Sequence, residues 1–254
     1  MNKQLLLRRQ FLKVLGLKGI FLYLPKTLVD QKSLEKPNIL FILADDLGWG
    51  QLGCYGSNFY ETPNLDNLAA EGMRFTNAYA AAPMCSLTRA SIMTGKYPAR
   101  LPLTDFIKGG KLPAGSKLAH PEWTKFLPLD EITIAEVLKQ NGYPTALFGK
   151  WHLSADYLPP ESLPLNPDKQ GFDETFLTYK PSPAMAQEWQ TPADDRHNVE
   201  VITQKAVQFI ENNQQRPFFL FVAHNTIHNP LMEKSHQLKN SKISRIASCQ
   251  KIIL

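Results

Sequence analysis

Cysteine is scarce in this sequence: three in 254 residues, at positions 54, 85 and 249. An odd number at wide spacing excludes a disulfide framework. Long apolar runs are missing too. The longest near the start ends at Leu24 and is too short to span a bilayer comfortably, which argues against a stable membrane anchor. A basic surface is also absent, although the formal net charge is +5. Residues 1–36 carry +6 and residues 234–254 carry +5, so the stretch 37–232 carries −5. An acidic body without interleaved aromatic and basic residues excludes nucleic acid as a partner. No internal repeat is visible. The Thr-Gly-Lys-Tyr run at 94–97 is not a phosphate loop, because Ala90 stands where such a loop needs its first glycine. What remains is an ordinary globular composition, 43% hydrophobic and 20% charged, enough for one large α/β domain or two small ones.

The first residues, "MNKQLLLRRQFLKVLGLKGIFLYLP", pair Arg8-Arg9 with Phe11-Leu12-Lys13 ahead of a moderately apolar run. This resembles a twin-arginine export signal, with Leu7 where Ser or Thr is usual, Lys18 inside the run and no small-residue cleavage site. The pattern predicts that residues 1–35 are an export signal and linker and that the protein is periplasmic or secreted. A basic amphipathic helix on a cytosolic protein is the alternative.

Beyond Lys36 the chain alternates between strand and helix signals. "PNILFILA" is a continuous apolar run of strand length, as in strands buried on both faces of a parallel sheet. "TPNLDNLAAEG" has the composition of a helix with Thr62 as N-cap, Pro63 in the first turn and Gly72 as stop. "SLTRASIMTG" predicts a second helix closed by Gly95. "TIAEVLKQNG" predicts a third, with Thr133 and Glu136 as a capping box and Gly142 at its end. "PTALFGKWHL" reads as a strand, "DDRHNVEVITQKAVQFIENN" as a long amphipathic helix, and "PFFLFVA" as another buried strand. The expectation is an α/β fold with a mostly parallel central sheet flanked by helices. The Pro- and Gly-punctuated stretch 101–130 is expected to be a long loop over the site.

Ligands of open α/β sheets bind at the carboxyl ends of the strands, and the chemically suggestive residues fall there. Asp45 and Asp46 follow the first strand; adjacent carboxylates repel unless a cation lies between them, and oxygen donors suit calcium or magnesium. A solvated acidic turn is the plainer alternative. Lys150 and His152, two apart on an expected strand, would face one side. His228 follows the last strand, with His224 one possible helical turn earlier. Cys85 and Arg89, four apart at a helix start, share a face where backbone N–H groups favour an anion. The set suits a tetrahedral anionic group.

The blocks "PNILFILADDLGWGQLGCYG", "TPNLDNLAAEGMRFTNAYAAAPMCSLTRASIMTGKYP", "EVLKQNGYPTALFGKWHL", "GFDE" and "PFFLFVAHNTIHNP" resemble, in order and spacing, those of the type I sulfatases. These are formylglycine-dependent hydrolases of the alkaline-phosphatase-like superfamily, and the resemblance covers residues 36–231. It implies a sulfuric ester hydrolase acting on aryl or carbohydrate sulfates, with one calcium ion. Cys85 would be the precursor of Cα-formylglycine, made by a formylglycine-generating maturation enzyme. Asp45, Asp46 and the modified Cys85 would be metal ligands. Arg89 would hold the nucleophile's oxygens and Lys150 would contact sulfate. His152 would partner the aldehyde hydrate, and His228 would bind sulfate and assist the leaving group. The implied partner is a sulfated small molecule or polysaccharide. A phosphate or phosphonate monoester hydrolase of the same superfamily is a second possibility, and a non-catalytic truncated relative a third.

Leu87 stands where the family's C-x-P-S/T-R signature has proline, and Gln51 where "GWGDLG" has aspartate. No Asp-Asn pair completing the calcium site follows Pro230. Residues 36–232 are therefore expected to be a partial N-terminal catalytic domain that loses later strands and exposes an apolar sheet edge. Residues 233–254, basic in their last part, are expected to be an aberrant or disordered tail.

Overall fold

The computed structural model describes residues 36–107, 109, 112, 114–119, 121–154, 165–178 and 197–229. The expected export signal and tail lie outside these residues. The chain divides into two units, Met1–Pro37 and Asn38–Leu254, and every element named below belongs to the second.

Among the described residues four strands form one parallel sheet: β1 (Ile39–Ala44), β2 (Thr145–Gly149), β3 (Glu174–Leu177) and β4 (Phe219–His224), in the order β1-β4-β2-β3. Four α-helices accompany them among the described residues: α1 (Pro63–Glu71), α2 (Cys85–Thr94), α3 (Ile134–Gln140) and α4 (Val199–Asn212). The two central strands explain the continuous apolar runs. On β2, Leu147 faces one layer while Ala146 and Phe148 face the other; on β4, Phe219, Phe221 and Ala223 oppose Leu220 and Val222. The first layer holds Leu87, Ala90 and Met93 of α2, Ala135 of α3, and Trp151 and Phe172. The second is closed by Ile202, Ala206 and Phe209 of α4. Burying each large apolar side chain in these layers contributes roughly 2 to 3 kcal/mol.

β1 corrects the expectation of burial on both faces. Among the described residues it pairs only with β4 and is an edge strand, with Leu40, Phe41 and Ile42 exposed to 47%, 38% and 59%. Ile39 and Leu43 pack on the first layer, and the partly exposed Phe41 ring stacks on Phe221 at 5.1 Å. β3 was not anticipated: "ETFL" is short and begins with an exposed glutamate.

Helix ends follow the sequence with two exceptions. Gly95 closes α2 at φ 67, and Thr133 with Glu136 forms the reciprocal box at α3. Thr62 sits at the N-cap of α1 as expected, but its side chain makes no capping bond there. Its hydroxyl accepts the Gly53 N–H at 2.8 Å and donates to Asp66 at 3.0 Å, while Asp66 accepts the Cys54 N–H at 2.7 Å. The pair therefore clamps the loop after β1 to the start of α1. The described part of α4 begins at Val199, after Asn198 at φ 58, later than the "DDRH" run suggests.

Stretch 101–130 is more than a cover. Leu101, Leu103, Ile107 and Leu127 are buried, and Leu127 N–H donates to the Leu153 carbonyl at 2.8 Å. No helix among the described residues is long and apolar enough to cross a membrane.

Candidate active site

Because the strands are parallel, their carboxyl ends share one lip of the sheet. β1 delivers Asp45 and Asp46 there, β2 delivers Lys150, and β4 leads through a turn to His228. The β1–β4 ladder runs on past both strands: Asp45 N–H donates to the Thr226 carbonyl at 2.8 Å, and Ile227 N–H donates to the Asp45 carbonyl at 2.7 Å. His228 N–H then closes the turn on Asn225 at 3.0 Å. At β2 the exit depends on Gly149, at φ 118, where a Cβ would strike the Ala223 carbonyl. Lys150 N–H donates to that carbonyl at 2.8 Å.

The buried Asp45 carboxylate is the hub. Lys150 Nζ binds its Oδ2, Arg89 Nη2 lies 3.4 Å from Oδ1, and the Cys85 thiol donates to Oδ1 at 3.3 Å. Arg89, 2% exposed, also donates through Nη1 to the Lys150 carbonyl at 2.7 Å. Burial pushes the Asp45 carboxyl up, but Arg89 and Lys150 outweigh it and hold it below the usual carboxylate range.

Cys85 is the first residue of α2. Expecting an anion there fails for the thiol itself: burial and the Asp45 charge raise it above the ordinary range despite nearby Lys150. The unmodified side chain is a neutral S–H and a poor nucleophile. Ligand atoms of Asp45, Cys85 and His228 lie within 4.8 Å of one another. Asp46 stands outside that triplet, half-exposed at φ 63, with its carboxylate 3.8 Å from His228 Nε2.

Lys150 and His152 do not share a strand, because β2 ends at Gly149. His152 is instead held at φ 56, its Nε2 3.2 Å from the Ile107 carbonyl oxygen. Burial, then Lys150, depresses its pKa to about 4, so the ring is neutral at pH 7. His224 is the last residue of β4, on the strand and not a helical turn. The structure thus gathers Asp45, Cys85, Arg89, Lys150 and His228, with Asp46 at the rim and His152 on the Ile107 side. Sequence reasoning overlooked Gly149, which is legible as a glycine between an apolar strand and a lysine.

The fit to a hard cation is partial. Asp45, Asp46 and oxygens at position 85 have suitable chemistry, but three residues fall short of the six to eight oxygens calcium takes. Lys150 also occupies the Asp45 oxygen that such an ion would need.

A family model described as Sulfatase matches residues 37–248. N-acetylgalactosamine-6-sulfatase of Canis lupus familiaris is 34% identical over 83% of this chain and 43% of its own length. Arylsulfatase G of Rattus norvegicus is 35% identical over 87% of this chain and 48% of its own. The chain thus spans somewhat less than half the length of these curated relatives. Among solved structures, Ps i-CgsB in complex with k-i-k-neocarrahexaose superposes with a TM-score of 0.63 at 29% identity, over 82% of this chain and 49% of that one. A protein solved with its substrate D-glucosamine-2-N,6-O-disulfate gives 0.60 at 28% identity, over 86% and 39%. With its parallel sheet, the charged residues gathered at its lip and these relatives, the chain belongs to the sulfatase family of the alkaline-phosphatase-like superfamily.

Proposed function

We propose that this chain carries the nucleophile half of an exported sulfuric ester hydrolase acting on carbohydrate sulfates. Cys85 would be oxidised to formylglycine and a calcium ion held at Asp45, Asp46 and position 85. The observation that carries the reading is the convergence of Asp45, Cys85, Arg89, Lys150 and His228 on one lip of the sheet. The raised thiol is consistent with it, since burial keeps an unmodified Cys85 a neutral S–H and a poor nucleophile. The carbohydrate preference rests on relatives whose names or bound ligands are sulfated saccharides. Export rests on Arg8-Arg9 and the residues around them.

Hydrated formylglycine would supply one hydroxyl to displace the alcohol from sulfur and a second whose deprotonation expels sulfate and restores the aldehyde. The chain's residues do the rest. Arg89, anchored by Asp45 and the Lys150 carbonyl, holds the oxygens at position 85. Lys150 Nζ shares its charge between Asp45 and position 85, 3.5 Å away, where a sulfate oxygen would gain it. His228, part-exposed at the rim, is available to protonate the departing alcohol oxygen. Neutral His152 can accept a proton from the hydrate. These residues alone leave the metal site incomplete.

The test is mass spectrometry of the tryptic peptide 75–89 from the native host, where oxidation replaces the sulfur of Cys85 by oxygen with loss of two hydrogens. Sulfate release from a sulfated saccharide is then measured against turnover of a phosphonate monoester. An unmodified thiol, or preference for the phosphonate, overturns the reading.

A further inference from the structure

Two costs converge on His152. Its backbone adopts a left-handed conformation at φ 56, which for a residue with a Cβ costs about 1 to 2 kcal/mol. Its Nδ1 is buried without a hydrogen-bond partner among the described residues, a loss of roughly 1 to 3 kcal/mol. A buried polar atom left in that state calls for an explanation.

The other ring nitrogen shows how the state is held. A carbonyl oxygen only accepts, so Nε2, 3.2 Å from the Ile107 oxygen, must carry the hydrogen. In a neutral ring the lone pair then falls on Nδ1. Ile107 is itself fixed: its side chain is 2% exposed, and its N–H donates at 3.0 Å to the hydroxyl of Ser86. Ser86 is fully buried in the first turn of α2, directly after Cys85. A relay thus runs from the residue beside position 85, through Ile107, to the imidazole.

We infer that Ser86 is a positioning residue. Its hydroxyl, acting through Ile107, holds His152 in the Nε2–H form and presents Nδ1 as the proton-accepting nitrogen of the pocket. Cys85 and His152 are thereby set by one short stretch of helix, so the donor at position 85 and its acceptor keep their spacing. The inference deepens the sulfatase reading and rests on it for the donor that Nδ1 meets.

Imidazole nitrogen NMR on the 254-residue chain with ¹⁵N-labelled histidine tests it, with His152 assigned from the spectrum of His152→Gln. At pH 7 wild type should show a protonated Nε2 and a bare Nδ1. Ser86→Ala should move both nitrogens toward averaged shifts as the two tautomers mix, and lower protection of the Ile107 amide about tenfold, the loss of one neutral hydrogen bond. Ser91→Ala, a change on the same helix away from the relay, should alter neither. A protonated Nδ1 in wild type, or an unchanged tautomer in a folded Ser86→Ala chain, overturns the proposal. Should Ser86→Ala not fold, the wild-type chain still decides: a bare Nδ1 with a protected Ile107 amide supports the relay, and a rapidly exchanging amide ends it. These spectra require no turnover, so failure of Cys85 oxidation would sink the preceding reading and leave this one standing.

Discussion

Asp45 holds two buried cations and a thiol with one carboxylate, so its removal costs more than any single contact suggests. In Asp45→Ala the Arg89 and Lys150 charges, on side chains only 3% and 11% exposed, lose their shared counter-charge. Stranding a buried charge costs about 3 to 5 kcal/mol. The expected result is that loss in urea unfolding at pH 7, with Asp45→Asn close behind because it keeps the shape without the charge. His152 gives the second residue-level prediction. Its folded pKa of about 4 lies below the ordinary histidine value of about 6.5, so the unfolded chain takes up a proton first as pH falls. Stability should therefore decline between about pH 6.5 and 4, by roughly 3 kcal/mol in all. His152→Gln should flatten that slope, as read from urea midpoints across the range. Asp45 acts lower: its depressed carboxyl contributes above the usual carboxylate range and loses that contribution as pH drops through it. At this scale the sequence named the residues that gather at the lip of the sheet, since side chains with chemistry announce themselves. It did not reveal who holds whom. Lys150 bound to Asp45 and Ile107 bound to His152 are long-range pairings that no local pattern encodes.

Elements place these residues through their ends. Gly149 is where β2 stops, and its φ of 118 is open to glycine and costly for anything with a Cβ. The same Cβ would meet the Ala223 carbonyl that receives Lys150 N–H. Gly149→Ala should lose at least about 3 kcal/mol, since strain and collision act together. Thermal unfolding checks this, and a loss under about 1 kcal/mol would remove the glycine from the account. Helix boundaries were readable wherever a local device sets them, as at Gly95 and in the Thr133–Glu136 box. Thr62 shows the limit: its hydroxyl had a distant partner in Gly53, and the long-range bond displaced the local cap. The strand reading of "PTALFGKWHL" ran too far because apolar continuity does not register where a glycine turns the backbone.

Across the whole molecule, the parallel sheet was legible from alternation and from the apolar runs of its two central strands. Strand order was not, because burial on both faces and exposure at an edge yield the same apolar sequence. β1 reads like β4 yet leaves Leu40, Phe41 and Ile42 open. Such an edge invites pairing with another chain. Ile42→Lys should reduce light scattering of the isolated chain at high concentration while changing its stability by no more than about 0.5 kcal/mol, the usual span for an exposed site. Unaltered scattering would mean the edge is not the adhesive surface.

The two hydrogen bonds that join Asp45 to residues 226 and 227 tie the turn bearing Asp46 to the turn bearing His228. Those turns lie far apart along the chain, yet they behave mechanically as a single piece. A residue inserted between Ala44 and Asp45 would move Asp45 one register step against β4 and pull the histidine's turn with it through both bonds. Length, more than side-chain identity, is what this part of the protein is least free to change.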